Sequence, residues 1–98
     1  MALTIVAELT AHPGKEDALR EALKAIIPPT LAEPGCIQYD MHEDNDRPGH
    51  FVFYETWENR EIWDTSHNVA PHILAFHKDR DALVAHFALY ELTRIPVG

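Results

Sequence analysis

The sequence has little cysteine and few basic residues, and it lacks any long apolar run. Cys36 is the only cysteine in 98 residues, which excludes an internal disulfide and a cysteine-based metal cluster and suits a reducing compartment. Eight basic residues against sixteen acidic ones give a net charge of -8, which repels a nucleic-acid backbone or an anionic membrane. No apolar stretch approaches the roughly 20 residues that span a bilayer. We therefore expect a cytoplasmic protein with no nucleic-acid or membrane partner.

The composition is that of one small globular domain over residues 1–98. Hydrophobic residues make up 46% and charged residues 24%, which disfavours disorder. A chain of this length buries only about 60% of its unfolded surface, so self-association would be a natural supplement to its core. A glycine-rich phosphate loop is missing, and nucleotide-dependent chemistry is therefore not indicated.

Hydrophobic periodicity predicts the order β, α, β, β, α, β, with the second helix broken. Residues 3–9 alternate as in a strand whose odd-numbered face is buried, and residues 15–27 have the spacing of an amphipathic helix. Pro28 and Pro29 predict a kink or a stop in that helix, with room for one further turn to Leu31. The remaining predicted elements are strands at 36–41, 51–57 and 85–95, a short helix capped by Asn59, and a helix from about Pro71.

Two β-α-β halves in this order indicate a ferredoxin-like α+β fold, an antiparallel four-stranded sheet with helices on one face. Phe51 and Phe53 on one face of the third strand, and Val52 and Tyr54 on the other, make that strand apolar on both sides. The open face of the sheet then needs a cover. We therefore predict a homodimer.

The segment from Phe53 to Phe76 is the predicted pocket. It contains both tryptophans, and a break at 68–71 would bring His67 and His72 together, while Trp63 and His67, four residues apart, should touch. A flat apolar wall beside an imidazole suits a planar aromatic ligand, because stacking gives affinity and the ring accepts a proton near neutral pH. The candidate catalytic residues are His67 and His72, and the candidate substrate-binding residues are Tyr39, Glu55, Trp57, Trp63, Phe76 and Tyr90.

Each of these residues also has a structural interpretation. The tryptophans could fill the core, the histidines could cap helices, and Glu55 could join helix to sheet. A metal site is disfavoured because His67, His72 and His77 are separated by five, which places successive rings about 140° apart on a continuous helix. We predict no metal and no cofactor.

The sequence resembles the antibiotic-biosynthesis monooxygenase family of small dimeric α+β barrel proteins. The resemblance is carried by LTIVAEL followed by PGKE, by EPGCIQYDMHED, and by FVFYETWENREIWDTSHNVAPH. It implies a ferredoxin-like fold, a dimer whose two sheets form a barrel, and oxidation of phenols, anthrones or quinols by molecular oxygen, often without metal or flavin. In that scheme His67 or His72 is the base, Trp57 and Trp63 stack on the ring, and Tyr39 and Glu55 orient a hydroxyl.

Several alternatives remain open within this resemblance. One branch isomerises or processes small phosphorylated signalling metabolites and would want basic residues in the pocket. Haem-degrading relatives need an asparagine in the first strand, and LTIVAEL has none. Phe53 stands where a polyketide oxygenase would have a polar group, which favours a simpler quinol. A non-enzymatic ligand-binding or stress-response dimer is the alternative from a different class.

Overall fold

A computed structural model describes residues 2–97 and confirms the predicted order of elements. The strands are β1 (Leu3–Ala11), β2 (Cys36–Glu43), β3 (His50–Trp57) and β4 (Val84–Leu92). The helices are α1 (Glu16–Leu31), α2 (Arg60–Thr65) and α3 (Pro71–Leu83), with a 3-10 turn at His67–Val69 between the last two. The sequence-based bounds agree to within three residues at each strand end.

The four strands form one antiparallel sheet in the order β2-β3-β1-β4. This is the ferredoxin-like α+β fold. The register places Glu55 of β3 opposite Ile5 on one side and opposite Tyr39 on the other. Leu89 of β4 pairs with Ala7 and joins the same face of the sheet. That face carries the helices, so these side chains are held between sheet and helices.

The core lies between this face and α1. The odd-numbered residues of β1 are buried throughout the strand, as their alternation predicts. Leu19, Leu23 and Ile26 form the buried stripe of α1 that packs on them. Trp57 is completely buried at the end of β3. The floor of any pocket on this face is consequently a rigid, packed surface.

Pro28 and Pro29 do not stop α1, and the predicted further turn to Leu31 is present. The two prolines remove the hydrogen bonds to the carbonyls of Lys24 and Ala25, four residues earlier, and both of those residues are exposed. Water can therefore replace the lost donors. Of the kink or stop expected at the prolines, the stop is wrong, and the further turn to Leu31 is confirmed.

The chain breaks between α2 and α3 as expected. Asn59 caps α2, its Oδ1 accepting a hydrogen bond from the backbone N–H of Ile62 at 2.8 Å. Ala70 is extended (φ -63°, ψ 146°), and Pro71 opens α3. Trp63 and His67 do not lie on one continuous helix, as their predicted contact assumed, because α2 ends at Thr65 and His67 begins the 3-10 turn.

Within residues 2–97, no helix lies across the other face of the sheet. The even-numbered residues of β1 and β3 point there, and Tyr54 and Tyr90 are 42% and 47% exposed. The expectation that Tyr90 lines the pocket is wrong: it pairs with Val6 on this open face, and Phe87 and Leu89 of the same strand face the helices instead. Among residues 2–97, no helix is long and apolar enough to cross a membrane.

Candidate functional site

A cavity lies between the helix-bearing face of the sheet and the three helical segments, and it has a volume of about 510 Å³ with its open mouth included. Its walls are mainly apolar, with a few polar side chains converging on it, which is the usual composition of a small-molecule site. The lining residues that carry polar groups or aromatic rings are Tyr39, Phe53, Glu55, Trp63, His67, Asn68, Phe76, His77 and Phe87.

His67 is the buried imidazole of this cavity, with 4% of its surface exposed. Its ring centroid lies 4.5 Å from that of Trp57 and 5.6 Å from that of Tyr39. Its Nδ1 lies 2.9 Å from Oε2 of Glu33. A carboxylate at Nδ1 places the ring hydrogen there, so Nε2 keeps its lone pair. Burial lowers the pKa of His67, and the hydrogen bond to Glu33 opposes that shift.

Glu33 joins the two histidines. Its Oε2 accepts from Nδ1 of His67 at 2.9 Å and from Nε2 of His72 at 2.8 Å. The hydroxyl of Thr30, at the end of α1, lies 3.0 Å from the same nitrogen of His72. Oε1 of Glu33 is buried and has no hydrogen-bond partner among the described residues. Oε2 of Glu33 thus accepts hydrogen bonds from both histidines, whereas Oε1 accepts none among the described residues.

The loop after α1 explains why Glu33 reaches the histidines. The backbone N–H of Glu33 donates to the carbonyl of Thr30 at 3.0 Å, which closes a turn directly after the helix. Gly35 has a φ of +87°, and a Cβ there would lie 2.8 Å from the side chain of Ile62. This tight turn into β2 holds Glu33 beside the break between α2 and α3.

Glu55 is a second buried carboxylate, on the floor of the cavity. Its Oε1 accepts from the indole N–H of Trp57 at 2.9 Å. Burial raises the pKa of Glu55 to about 7, and the hydrogen bond from Trp57 opposes the rise. Burial likewise raises the pKa of Tyr39, its cross-strand neighbour, well above the ordinary value. Glu55 can therefore either donate or accept a hydrogen bond near neutral pH, while Tyr39 stays a phenol.

The structure brings together most of the residues that the sequence singled out. His67, Tyr39, Glu55, Trp63 and Phe76 line the cavity. Two further predicted residues lie just outside it. Trp57 is packed behind the ring of His67, and His72 faces a groove between α1 and α3 that also contains Phe76.

Sequence reasoning missed Glu33, Thr30 and Asn68. Glu33 and Thr30 complete the histidine cluster, and Asn68 lines the cavity. Glu33 stands in the Glu-Pro-Gly stretch, to which the sequence assigns only a place in the family resemblance. A carboxylate directly before a turn, 34 residues away from His67, gives no local periodicity that could link the two. Only the packing of the loop on the helix break does so.

The same cluster has the donor set of a metal site. One ligand atom each from Glu33, His67 and His72 lies within 4.8 Å of the others. The five-residue spacing argued against such a site on a continuous helix, but the extended Ala70 between the two histidines removes that premise. Cys36 offers no competing chemistry, because burial raises the pKa of its thiol to about 11.

Fold and cavity together define a small ferredoxin-like α+β protein with a pocket on the helix-bearing face of its sheet. Comparison with known proteins narrows this class. The family described as Antibiotic biosynthesis monooxygenase matches residues 2–79. The chain belongs to this family.

Solved structures of bacterial proteins share the fold over nearly the whole chain. PA3566 from Pseudomonas aeruginosa is 34% identical with a TM-score of 0.92, covering 97% of this chain and 95% of that one. Rv0793 from Mycobacterium tuberculosis is 31% identical with a TM-score of 0.91, covering 99% and 98%. The protein sll1783 from Synechocystis is 28% identical over 95% of this chain, which spans 63% of the length of that relative.

Proposed function

We propose that the protein is a monooxygenase that oxidises a small aromatic quinol with molecular oxygen, without a metal or organic cofactor in the reaction, and that His67 is the base. A hydroquinone anion is itself reducing enough to pass an electron to oxygen. The protein then has to bind the ring, remove a proton and exclude water. The cavity has residues suited to each of these tasks.

The hydrogen bond between Nδ1 of His67 and Glu33 carries this proposal. It orients the imidazole and leaves Nε2, which has no protein hydrogen-bond partner among residues 2–97, as the acceptor in a ring that lines the cavity. A histidine base whose second ring nitrogen is hydrogen-bonded to a carboxylate is a recurrent catalytic arrangement. His72, also a candidate base, bonds to the same carboxylate oxygen and lies outside the cavity. We therefore assign it a positioning role.

The reaction can be written with all atoms balanced. Nε2 of His67 takes a proton from one hydroxyl of the quinol, and the anion gives one electron to oxygen. The semiquinone and superoxide then combine at a ring carbon to form a peroxide anion, which takes the proton back from His67 and becomes a hydroperoxide. His67 then removes the proton on that carbon, the O–O bond breaks to give a carbonyl and hydroxide, and the hydroxide takes this proton from His67 to form water. The sum is quinol plus oxygen giving a hydroxyquinone plus water.

The remaining cavity residues would hold the ring. Trp63, Phe53 and Phe76 supply flat apolar walls around the cavity. Tyr39 and Glu55, paired across β2 and β3, would orient a hydroxyl. Trp57 would position these residues from outside the cavity, since it packs on His67 and donates a hydrogen bond to Glu55.

A homodimer in the cytoplasm completes the proposal. Apolar side chains including Val6, Val52, Tyr54 and Tyr90 occur on the sheet face that lacks helices, and a second copy would cover them. Sedimentation equilibrium at micromolar concentration should give twice the 11.2 kDa chain mass. A mass of one chain would refute the dimer.

The activity is tested by oxygen consumption with a panel of naphthohydroquinones and anthrones, using protein stripped of metal. We expect catalysis with a hydroquinone, a large loss in His67→Ala, and a smaller one in His72→Ala. Equal rates in protein and in buffer would refute the oxygenase. Equilibrium dialysis with the same compounds would then show whether the cavity binds a ligand without reaction.

A further inference from the structure

We propose that Glu33, His67 and His72 form a binding site for one divalent transition-metal ion, for which zinc is the probe. One ligand atom of each residue lies within 4.8 Å of the others. Nδ1 of His67 and Nε2 of His72 are 2.9 and 2.8 Å from Oε2 of Glu33, and we take these three as the ligand atoms. Imidazole nitrogens and carboxylate oxygens are the ligands that zinc and neighbouring metals take in proteins, and three such ligands leave one position open.

The unused oxygen of Glu33 is a second observation that points to a cation. The side chain is 10% exposed, and Oε1 is buried with no hydrogen-bond partner among the described residues. A buried carboxylate oxygen without a partner is costly, and native structures satisfy nearly all such atoms with protein, water or an ion. A metal ion beside this carboxylate would compensate Oε1 as well as bind Oε2.

The three ligands are held in place by separate parts of the fold. Glu33 is in the loop after α1, His67 begins the 3-10 turn, and His72 is in the first turn of α3. The packing of the His67 ring against Trp57 fixes its orientation. Such support reduces the ordering that an ion has to impose. The net charge of -8 further favours a cation over an anion at this site.

Metal binding would have a chemical consequence for His67. Coordination takes the place of the hydrogen on Nδ1, so a neutral ring must carry its hydrogen on Nε2. Nε2 then becomes a donor and can no longer accept a proton from a ligand. Resting on the proposed function, this predicts that zinc inhibits quinol oxidation.

Binding is measured without reference to activity. Metal-stripped protein is dialysed against zinc, and the bound metal is counted by elemental analysis while thermal unfolding is recorded. We expect one zinc ion per chain and a higher Tm for the wild type. Glu33→Gln and His72→Gln should each weaken binding by at least about 10-fold, because each removes a ligand.

Two matched variants separate this site from ordinary surface binding. Glu21→Gln changes an exposed carboxylate of α1, and His86→Gln changes an exposed histidine of β4, and both should keep the full zinc stoichiometry. Circular dichroism of each variant without metal checks that it is folded. Zinc binding that is absent in the wild type, or unchanged in both Glu33→Gln and His72→Gln, would overturn the site.

The two proposals can fail separately. If the stripped enzyme oxidises a quinol and zinc inhibits it in the wild type but not in His72→Gln, both stand. If zinc binds but the stripped and loaded proteins are both inactive, the metal site stands and the oxygenase is refuted. Activity that appears only with metal bound would overturn the inhibition and show that the ion takes part in the reaction.

Discussion

Two buried histidines of this protein are hydrogen-bonded to carboxylates, and they differ in whether both ring nitrogens have a partner. His50, at the start of β3, has a partner at each ring nitrogen: Nε2 lies 3.1 Å from Glu8, and Nδ1 lies 3.2 Å from Asp44 and 3.0 Å from Arg47. His67 has Glu33 at Nδ1, and its Nε2 has no protein partner within the part of the chain that the structure describes.

The location of the two rings sharpens the difference. His50 closes the hairpin between β2 and β3, where Asp44 also accepts the backbone N–H of Asp46 at 2.9 Å. Hydrogen bonds from Asp46, Arg47 and His50 lower the pKa of Asp44 to about 2. His67 instead lines an apolar cavity. A histidine with both nitrogens satisfied stabilises a turn, whereas one with a free nitrogen facing a cavity is available for chemistry.

Replacing each histidine in turn is the strongest test of this comparison. His67→Ala should lower kcat/KM for a quinol by about 10²- to 10⁴-fold, the range that a general base contributes. His50→Gln should leave kcat/KM within about 3-fold, because it lies outside the cavity. Oxygen uptake at saturating and limiting quinol measures both. Comparable losses in the two variants would remove the distinction.

Glu55 extends the comparison to a buried carboxylate that has no basic partner among the described residues. Its pKa is about 7 when folded and about 4.5 when exposed, so the folded state binds the extra proton between these values. The stabilisation is therefore complete below about pH 4.5 and is lost as pH rises through 7. It amounts to on the order of 3 kcal/mol.

Urea unfolding between pH 4.5 and 8 measures this contribution. Glu55→Gln has no titrating carboxyl at this position, so the free energy of unfolding of the wild type relative to the variant should fall as pH rises. Curves that stay parallel across this range would show that the Glu55 pKa is not raised.

Glu33→Gln tests whether the carboxylate positions His67. The amide can still accept a hydrogen bond, but it cannot stabilise charge on the imidazole, so kcat should fall by about 10- to 100-fold with little change in KM. The pH profile of kcat should shift as well, which a purely structural role would not produce. An unchanged profile with a raised KM would indicate that Glu33 only shapes the cavity.

The smallest effect is expected for stability at the hairpin. The His50 ring contacts both Glu8 and Asp44, and His50→Gln loses at least one of these two contacts. The free energy of unfolding should therefore fall by about 1 to 2 kcal/mol. Thermal unfolding of His50→Gln beside His86→Gln, an exposed histidine on β4, gives the comparison. Equal Tm values in the two variants would show that the His50 contacts contribute nothing.

The fold was predictable because its signals are local. Alternation at residues 3–9, the amphipathic spacing of α1 and the Asn59 cap each depend on neighbours a few positions apart, and the structure has all three. The prolines of α1 misled because their cost depends on whether water reaches the carbonyls they leave free. The prediction that Tyr90 lines the pocket was wrong because the face of the sheet to which a strand residue points depends on the register of the strand.

The order of elements, the broken helix, and a cavity containing His67, Glu55 and Trp63 could all be predicted from local patterns in the chain. Tertiary structure alone decided which atoms meet: that Glu33 binds both histidines through one oxygen, and that His50 is satisfied while His67 is not. The contacts of Glu33 with the two histidines and of Glu8 with His50 join residues 34 to 42 positions apart. The packing of loops on helices and strands decides which residues pair in this way, and such pairing produces no periodic pattern in the sequence.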